Sequence, residues 1–208
     1  MAVRMALGIK EQIDRGIAVL KKGGLVALPT DTVYGLGACY NNYDAVERLY
    51  RVKQRPRHLA FPLLLADVEQ IKEVADYISP DAWLLIRRFL PGALTLVLTR
   101  SDSVPDIVTG GGETVAVRVP AHPVPIALIE GIGAPVIGTS ANISGQPSAV
   151  TAAEVRSQLG GKIDLVIDGG RCPGGKESTI IDVTGEVSRI LREGAISRQE
   201  LGQVCRVI

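Results

Sequence analysis

Apolar residues recur along this chain at two different spacings. From Ile9 to Leu20 they occupy every third or fourth position, which predicts an amphipathic helix that ends at Gly23-Gly24. Capping residues and the same spacing predict further helices: from Asp44 to about Val52, from Asp67 through Ile78, from Ser79 to Pro91-Gly92, over 124–132, and after the capping boxes Thr151/Glu154 and Ser197/Glu200.

Short uninterrupted apolar runs form the second pattern, which predicts buried strands. These strands are expected at 25–28, 62–66, 94–98, 114–119, 134–138, 164–167, 179–183 and 188–191. Because the runs are apolar on both faces, helices should cover both sides of the sheet. We therefore predict an α/β (α+β) fold. It is a single three-layer domain over residues 1–208, with a twisted mixed parallel and antiparallel sheet and Gly-rich loops (110–112 and 169–175) at one rim.

Composition and charge narrow the class of protein. Of the 208 residues, 46% are hydrophobic and 22% charged, so the chain can bury a full core. The net charge of +1 gives no overall field that attracts nucleic acid or membranes. Three scattered cysteines and two histidines offer neither a disulfide framework nor metal-ligand spacing. No signal peptide and no membrane-spanning apolar run is evident, so a cytoplasmic location is expected.

Polar residues and glycines follow the first predicted strand, in the stretch LPTDTVYGLGA. Thr32 and Tyr34 come directly after the strand end, and Gly35 and Gly37 permit a close approach of the backbone to a ligand. Such residues at a strand end suit a small-molecule site. The plainer interpretation is a strand–turn–strand connection whose threonines satisfy backbone groups. The pattern alone does not decide between the two.

Two groups of cations also need partners. Four of the seven residues from Arg51 to Arg57 are basic and none is acidic. A helix C-terminus accounts for one or two of these charges, and phosphate or nucleic acid would account for the rest. Arg118 interrupts an apolar strand, where a guanidinium needs a partner. That partner is either a structural carboxylate or the carboxylate of a ligand.

The stretch GTSANISGQPS follows the strand predicted at 134–138 and carries hydroxyl and amide side chains without a charge. Ser140 and Asn142 are candidate ligand contacts, and a well-capped surface loop is the alternative. In the last third, Ser178 precedes a strand and Arg192 ends another. Here the plain alternatives are a turn hydroxyl for Ser178 and, for Arg192, a surface cation paired with Glu193 or Glu186.

The chain contains no Walker A loop, Rossmann fingerprint, catalytic triad or metal cluster. Hydroxyls, amides and arginines at strand ends remain, which indicates a site that works by position and charge without covalent catalysis.

Six ordered stretches resemble the YrdC-type family of L-threonylcarbamoyladenylate synthases, in its short, single-domain type. They are PTDTVYGLG, the K-x-R element Lys53-Gln54-Arg55, PGALTLVL, VAVRVPAHP, the S-x-N element in SANISGQPS, and ESTIID with LREGAI. The resemblance runs from about residue 10 to residue 200. It implies a YrdC-like fold with a concave basic groove and a nucleotidyltransferase reaction, in which L-threonine, bicarbonate and ATP give threonylcarbamoyl-AMP and pyrophosphate.

The resemblance also implies roles for particular residues. Catalytic roles fall to Lys53, Arg55, Ser140 and Asn142; threonine binding to Thr32, Tyr34, Arg118 and Ser178; nucleotide binding to Lys53, Arg55, Thr114, Asn142 and Arg192. Mg²⁺ would arrive with ATP as part of the substrate, and no metal site or tightly bound cofactor is expected. The product would pass to a threonylcarbamoyl transferase complex that modifies position 37 of tRNA.

One stretch departs from the family pattern. Many relatives carry a polar residue before the proline of the PLLL-type strand, where this chain has Ala60-Phe61-Pro62. A polar ligand contact is then absent or supplied by Arg57 or His58. Two other functions stay open: an RNA-binding module without catalysis, with weak and salt-sensitive contacts, or an enzyme that makes a carbamoyladenylate for another acceptor.

Overall fold

The computed structural model describes residues 2–208, with side chains from residue 8 onward. Its helices are α1 Ala2–Lys21, α2 Tyr43–Lys53, α3 Ile71–Val74, α4 Pro80–Phe89, α5 Asp106–Thr109, α6 Pro123–Ile132, α7 Ala152–Leu159 and α8 Arg198–Gly202. Its strands are β1 Val26–Leu28, β2 Gly35–Cys39, β3 Leu63–Leu64, β4 Ala75–Tyr77, β5 Leu94–Arg100, β6 Thr114–Arg118, β7 Val136–Ser140, β8 Leu165–Val166, β9 Thr179–Asp182 and β10 Arg189–Arg192.

All of these strands join one mixed sheet. Its order is β10-β9-β5-β6-β3-β7-β2-β1-β8, with β4 paired to the end of β5. The pairs β5/β9, β3/β6 and β1/β8 are parallel, and the others are antiparallel. Strands that follow one another in the sequence, β5 with β6 and β9 with β10, form antiparallel pairs. The mixed sheet of the predicted α/β fold is therefore present.

Helices pack on both faces of this sheet. On one face, Leu20 of α1 and Leu128 of α6 form a core with Val26 of β1. On the other face, Leu49 of α2 and Leu85 of α4 belong to a larger core. Three layers result, as predicted, because each strand has apolar side chains on both sides.

The predicted helix from Asp67 through Ile78 is wrong. A single turn of helix, α3, is followed directly by β4, which pairs with β5 at Ala75↔Arg100 and Tyr77↔Thr99. The apolar spacing of this segment fits a helix, but β5 extends past the end of β9 and offers free backbone groups there. Pairing of these groups decides the conformation.

Smaller corrections concern the ends of elements. Asn42, and not Asp44, caps α2, since its side chain accepts a hydrogen bond from the backbone N–H of Ala45. The predicted box Thr151/Glu154 is half formed, because the Glu154 carboxylate accepts from Val150 N–H. The box Ser197/Glu200 and the Ser79 cap with Pro80 at the first helical turn are confirmed.

Candidate active site

A cavity of about 270 Å³ lies on the face of the sheet that carries α1 and α6. Its floor is formed by Thr95 and Val97 of β5, Ala116 of β6 and Ile180 of β9. Side chains alternate along a strand, so neighbours such as Leu96 point to the opposite face and into the larger core. The cavity therefore occupies a part of the sheet that the α1/α6 core leaves open.

Seven of the ten predicted site residues line this cavity. They are Thr32, Tyr34, Arg55, Arg118, Ser140, Ser178 and Arg192. Lys53 and Asn142 are buried next to it, behind Ser140. Thr114 lies on β6 two positions before Ala116 and does not line the cavity. Segments separated by up to 160 residues in the sequence thus meet at one place.

Arg118 has a structural carboxylate partner and also lines the cavity. Its guanidinium donates to Asp31 Oδ1 at 2.6 Å, to Thr32 Oγ1 at 2.9 Å and to the carbonyl oxygen of Gly92 at 2.9 Å. Burial lowers the pKa of this guanidinium, whereas Asp31 acts in the opposite direction. Three of its five N–H groups are used in this way, so two remain for a ligand.

Arg55 is held without a carboxylate among the described residues. Its Nε donates to the Leu59 carbonyl oxygen at 3.1 Å and its Nη2 to that of Ala60 at 2.9 Å, while the guanidinium lies 5.2 Å from the centre of the Phe61 ring. Burial lowers the pKa of Arg55, Tyr50 acts in the opposite direction, and the nearby charge of Arg192 lowers it further. A cation placed against another cation in this way favours an anionic ligand.

Lys53 braces the loop that follows β7. Its Nζ donates to the carbonyl oxygens of Ser140 and Asn142 and, at 3.1 Å, to the side-chain oxygen of Asn142. All three of its N–H groups are used, and the side chain is 1% exposed. Burial and Arg55 lower the pKa of Lys53 to about 8, against a smaller opposite effect of Glu177. In this arrangement Lys53 acts on the cavity through the loop.

The neutral side chains of that loop hold its shape. Ser140 Oγ donates to Asn142 Oδ1 at 2.7 Å, and the Asn142 amide donates to the carbonyl oxygen of Gln146. The backbone N–H of Ser144 donates to the carbonyl oxygen of Lys53 at 3.0 Å. The many hydroxyl and amide groups after β7 therefore form a braced turn beside Ser140, which itself lines the cavity.

On the other side of the cavity, Arg192 pairs with Glu177, and not with Glu193 or Glu186. Its guanidinium also donates to the carbonyl oxygen of Ser178, at 2.8 Å from Nη2. The second oxygen of Glu177 accepts from the hydroxyl of Ser148 in the loop after β7. Glu177 thus connects the two sides of the cavity.

Tyr34 fixes the glycine-rich loop at 169–175. Its hydroxyl donates to the carbonyl oxygen of Gly170 at 2.8 Å and accepts from the N–H of Gly169. Burial raises the pKa of Tyr34 to about 12, so the phenol stays protonated at neutral pH. A Cβ at Gly174 would lie 2.7 Å from the carbonyl oxygen of Asp31, so the close packing of this loop requires glycine there.

Formal charges at the site do not balance. The cations Lys53, Arg55, Arg118 and Arg192 face the carboxylates Asp31 and Glu177. Two positive charges are left without a carboxylate among the described residues. A negatively charged ligand would offset them.

No group of three or more His, Cys, Asp or Glu side chains within the described part of the chain is arranged to hold a metal ion.

Some residues at the site had no role assigned from the sequence. Among the lining residues these include Thr95 inside PGALTLVL and Glu177 inside ESTIID; a further one is Asp31 inside PTDTVYGLG, which pairs with the lining residue Arg118. A lone hydroxyl in the apolar run LTLVL was the available signal for Thr95. Arg57 and His58 do not line the cavity; Arg57 pairs with Glu47 instead.

A family model covers most of the chain. The Sua5_yciO_yrdC model, described as "Telomere recombination", matches residues 18–194. The chain belongs to the Sua5/YciO/YrdC family. Within residues 2–208, no helix is both long and apolar enough to cross a lipid bilayer.

Relatives and solved structures agree with this assignment. The threonylcarbamoyl-AMP synthase of Pyrococcus abyssi is 41% identical over 203 residues, which are 95% of this chain and 60% of that protein. The threonylcarbamoyl-AMP synthase of Vibrio vulnificus is 39% identical over 184 residues, 88% of this chain and 98% of that protein. The crystal structure of P. abyssi Sua5 complexed with L-threonine matches with a TM-score of 0.91 and 42% identity, over 94% of this chain and 58% of that one. This chain thus spans about 60% of the length of its P. abyssi relatives.

Proposed function

We propose that this protein is a threonylcarbamoyl-AMP synthase, a nucleotidyltransferase that converts L-threonine, bicarbonate and ATP to L-threonylcarbamoyl-AMP and pyrophosphate. The observation that carries this proposal is the convergence of Arg55, Arg118 and Arg192 on one cavity beside a neutral, braced loop. Family membership and the similarity to a Sua5 structure that holds L-threonine support it.

The reaction needs no nucleophile from the protein. The amine of threonine adds to bicarbonate-derived carbon dioxide and loses a proton to give a carbamate. A carbamate oxygen then attacks the α-phosphorus of ATP, the bond to the bridging oxygen breaks, and pyrophosphate leaves with that electron pair. Both steps bring anions together, so the protein contributes by holding them in place and offsetting their repulsion.

Arg118 binds the carboxylate of threonine in this proposal. Asp31, Thr32 and the Gly92 carbonyl fix its guanidinium, so little side-chain entropy is lost on binding. The planar guanidinium can present two parallel N–H groups to a carboxylate, which an ammonium cannot do. Thr32 and Ser178 lie within the same cavity to contact the rest of the amino acid, and Tyr34 shapes that end of it.

Arg55 and Arg192 bind the phosphates of MgATP. Arg55 brings a charge that no described carboxylate neutralises, and Arg192 lies near enough to lower its pKa. Lys53 adds a buried positive charge from behind the Ser140–Asn142 turn. Thr114, beyond the lining residues on the same strand as Ala116, is assigned to the outer part of the nucleotide site. Mg²⁺ enters as part of the substrate.

Ser140 presents a neutral hydroxyl to the carbamate and the α-phosphate, and Asn142, buried behind it, holds that hydroxyl in place. A carboxylate at this place would repel the carbamate, and a further cation would retain the charged product. The destination of that product, in this proposal, is a threonylcarbamoyl transferase complex that modifies adenosine 37 of tRNA in the cytoplasm.

The test is ATP-dependent pyrophosphate release from threonine and bicarbonate, compared between Arg55→Ala and Arg51→Ala. Both arginines belong to the same basic stretch, but Arg51 is exposed on α2 and does not line the cavity. Loss of a charge-assisted contact of about 1.5–3 kcal/mol lowers kcat/KM by roughly 10- to 150-fold for Arg55→Ala. The Arg51→Ala protein should match the wild type.

The same assay with serine or carbamoyl phosphate in place of threonine distinguishes the synthase from the two alternative functions. Turnover that depends on threonine supports the synthase. Turnover with carbamoyl phosphate alone would indicate a carbamoyladenylate enzyme for another acceptor. Tight RNA binding at physiological salt without any turnover would indicate a binding module, and equal activity of the two arginine variants would refute the role of Arg55.

A further inference from the structure

Two buried hydroxyl groups lie against each other in the wall of the cavity. Thr95 Oγ1 on β5 and Ser178 Oγ, directly before β9, are 2.8 Å apart. Both residues line the cavity and are almost fully buried, with 2% and 7% exposure. The family resemblance implies threonine binding for Ser178 and gives Thr95 no role.

The partners of these hydroxyls restrict where their protons point. Ser178 Oγ is the one hydrogen-bond partner of the Thr95 hydroxyl within the described residues. Ser178 Oγ also receives an N–H of Arg192 at 3.3 Å. Two O–H groups are therefore available, one is used between the oxygens, and the other has no acceptor in the described protein.

Arg192 favours one of the two possible arrangements. When Thr95 donates to Ser178, the serine oxygen accepts from both the threonine hydroxyl and the guanidinium, which strengthens its own O–H as a donor. That O–H is then directed into the cavity, toward an acceptor oxygen of a ligand. The opposite arrangement leaves the free proton on the deeper and more buried Thr95.

We propose that Thr95 is a positioning residue, which donates its hydroxyl proton to Ser178 and so orients Ser178 as a hydrogen-bond donor to the amino-acid substrate. This inference rests on the proposed function and deepens it. Thr95 lies on β5 beside β6, the strand that ends at Arg118, so it belongs to the end of the cavity that binds the threonine carboxylate.

Three variants of β5 test the proposal. Thr95→Val removes the hydroxyl and keeps the shape of the side chain, Thr95→Ser restores the hydroxyl, and Thr99→Val is the matched control on the same face of the strand, exposed and outside the cavity. Thr95→Val should raise the Kd and the KM for L-threonine roughly three- to tenfold, the effect of one neutral hydrogen bond, with the KM for MgATP unchanged. Thr95→Ser should recover most of the wild-type value, and Thr99→Val should equal wild type.

A double-mutant cycle with Ser178→Ala shows whether Thr95 acts through Ser178. If it does, adding Thr95→Val to Ser178→Ala weakens threonine binding no further. Additive losses, a Thr95→Val protein with wild-type threonine binding, or equal changes in both KM values would each overturn the proposal. A wild-type protein that binds threonine but releases no pyrophosphate would instead overturn the proposed function, and the cycle could still be read from threonine binding.

Discussion

At the scale of single residues, the site is built from buried cations whose N–H groups are matched to fixed oxygen atoms. Lys53 has three acceptors in the Ser140–Asn142 turn, and Arg118 has three in Asp31, Thr32 and Gly92. A buried charge without hydrogen-bond partners is strongly destabilising, so these contacts allow the two cations to stay charged beside the cavity. Each cation thereby ties a loop to a strand or helix.

The lowered pKa of Lys53 predicts a pH dependence of nucleotide binding. Burial and Arg55 bring this pKa to about 8, so Lys53 loses its proton as the pH rises through that value. The positive charge behind the turn disappears and one donor is lost. Binding of MgATP, measured by titration calorimetry between pH 7 and 9.5, should therefore weaken as the pH passes about 8.

Two variants separate this effect from general changes with pH. Lys53→Met should bind MgATP more weakly at pH 7 and should lose the dependence near pH 8. Lys162→Met removes an exposed lysine and should keep the wild-type profile. An unchanged profile in Lys53→Met would show that another group titrates.

The stability of the fold depends on pH in the opposite direction. Because burial lowers the pKa of Lys53 in the folded state, loss of its proton favours that state, and the free energy of unfolding rises with pH above about 8.

At the scale of elements, the sequence predicted most helices and strands but missed β2. The stretch GLGAC contains two glycines, which are rare in strands and weaken them. One of them has little space for a side chain, since a Cβ at Gly37 would lie 2.9 Å from Val136. Its cross-strand partner on β7, Gly138, is more restricted still, because a Cβ there would lie 2.2 Å from Leu64. Close packing of neighbouring side chains is not visible in a local pattern.

The packing of Leu64 onto Gly138 predicts the effect of a single methyl group. Gly138→Ala would force Leu64 out of its position in the core, and overpacking of this kind destabilises by about 1–3 kcal/mol. Gly185→Ala is a control in an open, exposed loop and should change stability by less than about 0.5 kcal/mol. Urea unfolding measures both. Equal stability of the two variants would mean that Leu64 and β7 adjust without loss.

At the scale of the whole molecule, the site depends on the order of strands, which no local pattern encodes. Seven of the ten residues that the motifs predicted for the site do line the cavity, since the motifs lie near strand ends or, for Arg55, directly after α2. Asp31, Thr95 and Glu177 received no role, since their contacts arise only in the assembled fold: Asp31 after β1 meets Arg118 of β6, Thr95 of β5 meets Ser178 before β9, and Glu177 meets Arg192 of β10. The same holds for Lys53, whose motif gave no sign that it faces the loop after β7.

Because the cavity joins the two halves of the chain, substrates should stabilise the whole protein. Strands before and after β6 both contribute lining residues, so we predict a single cooperative unfolding transition. MgATP or threonine at about 100 times its Kd adds roughly 2.7 kcal/mol, or an increase in Tm of about 5–10 °C for a chain of this length. In Arg118→Lys the increase with threonine should disappear and that with MgATP should remain. Two separate transitions, or stabilisation of only one of them, would show that the halves unfold independently and that the cavity does not couple them.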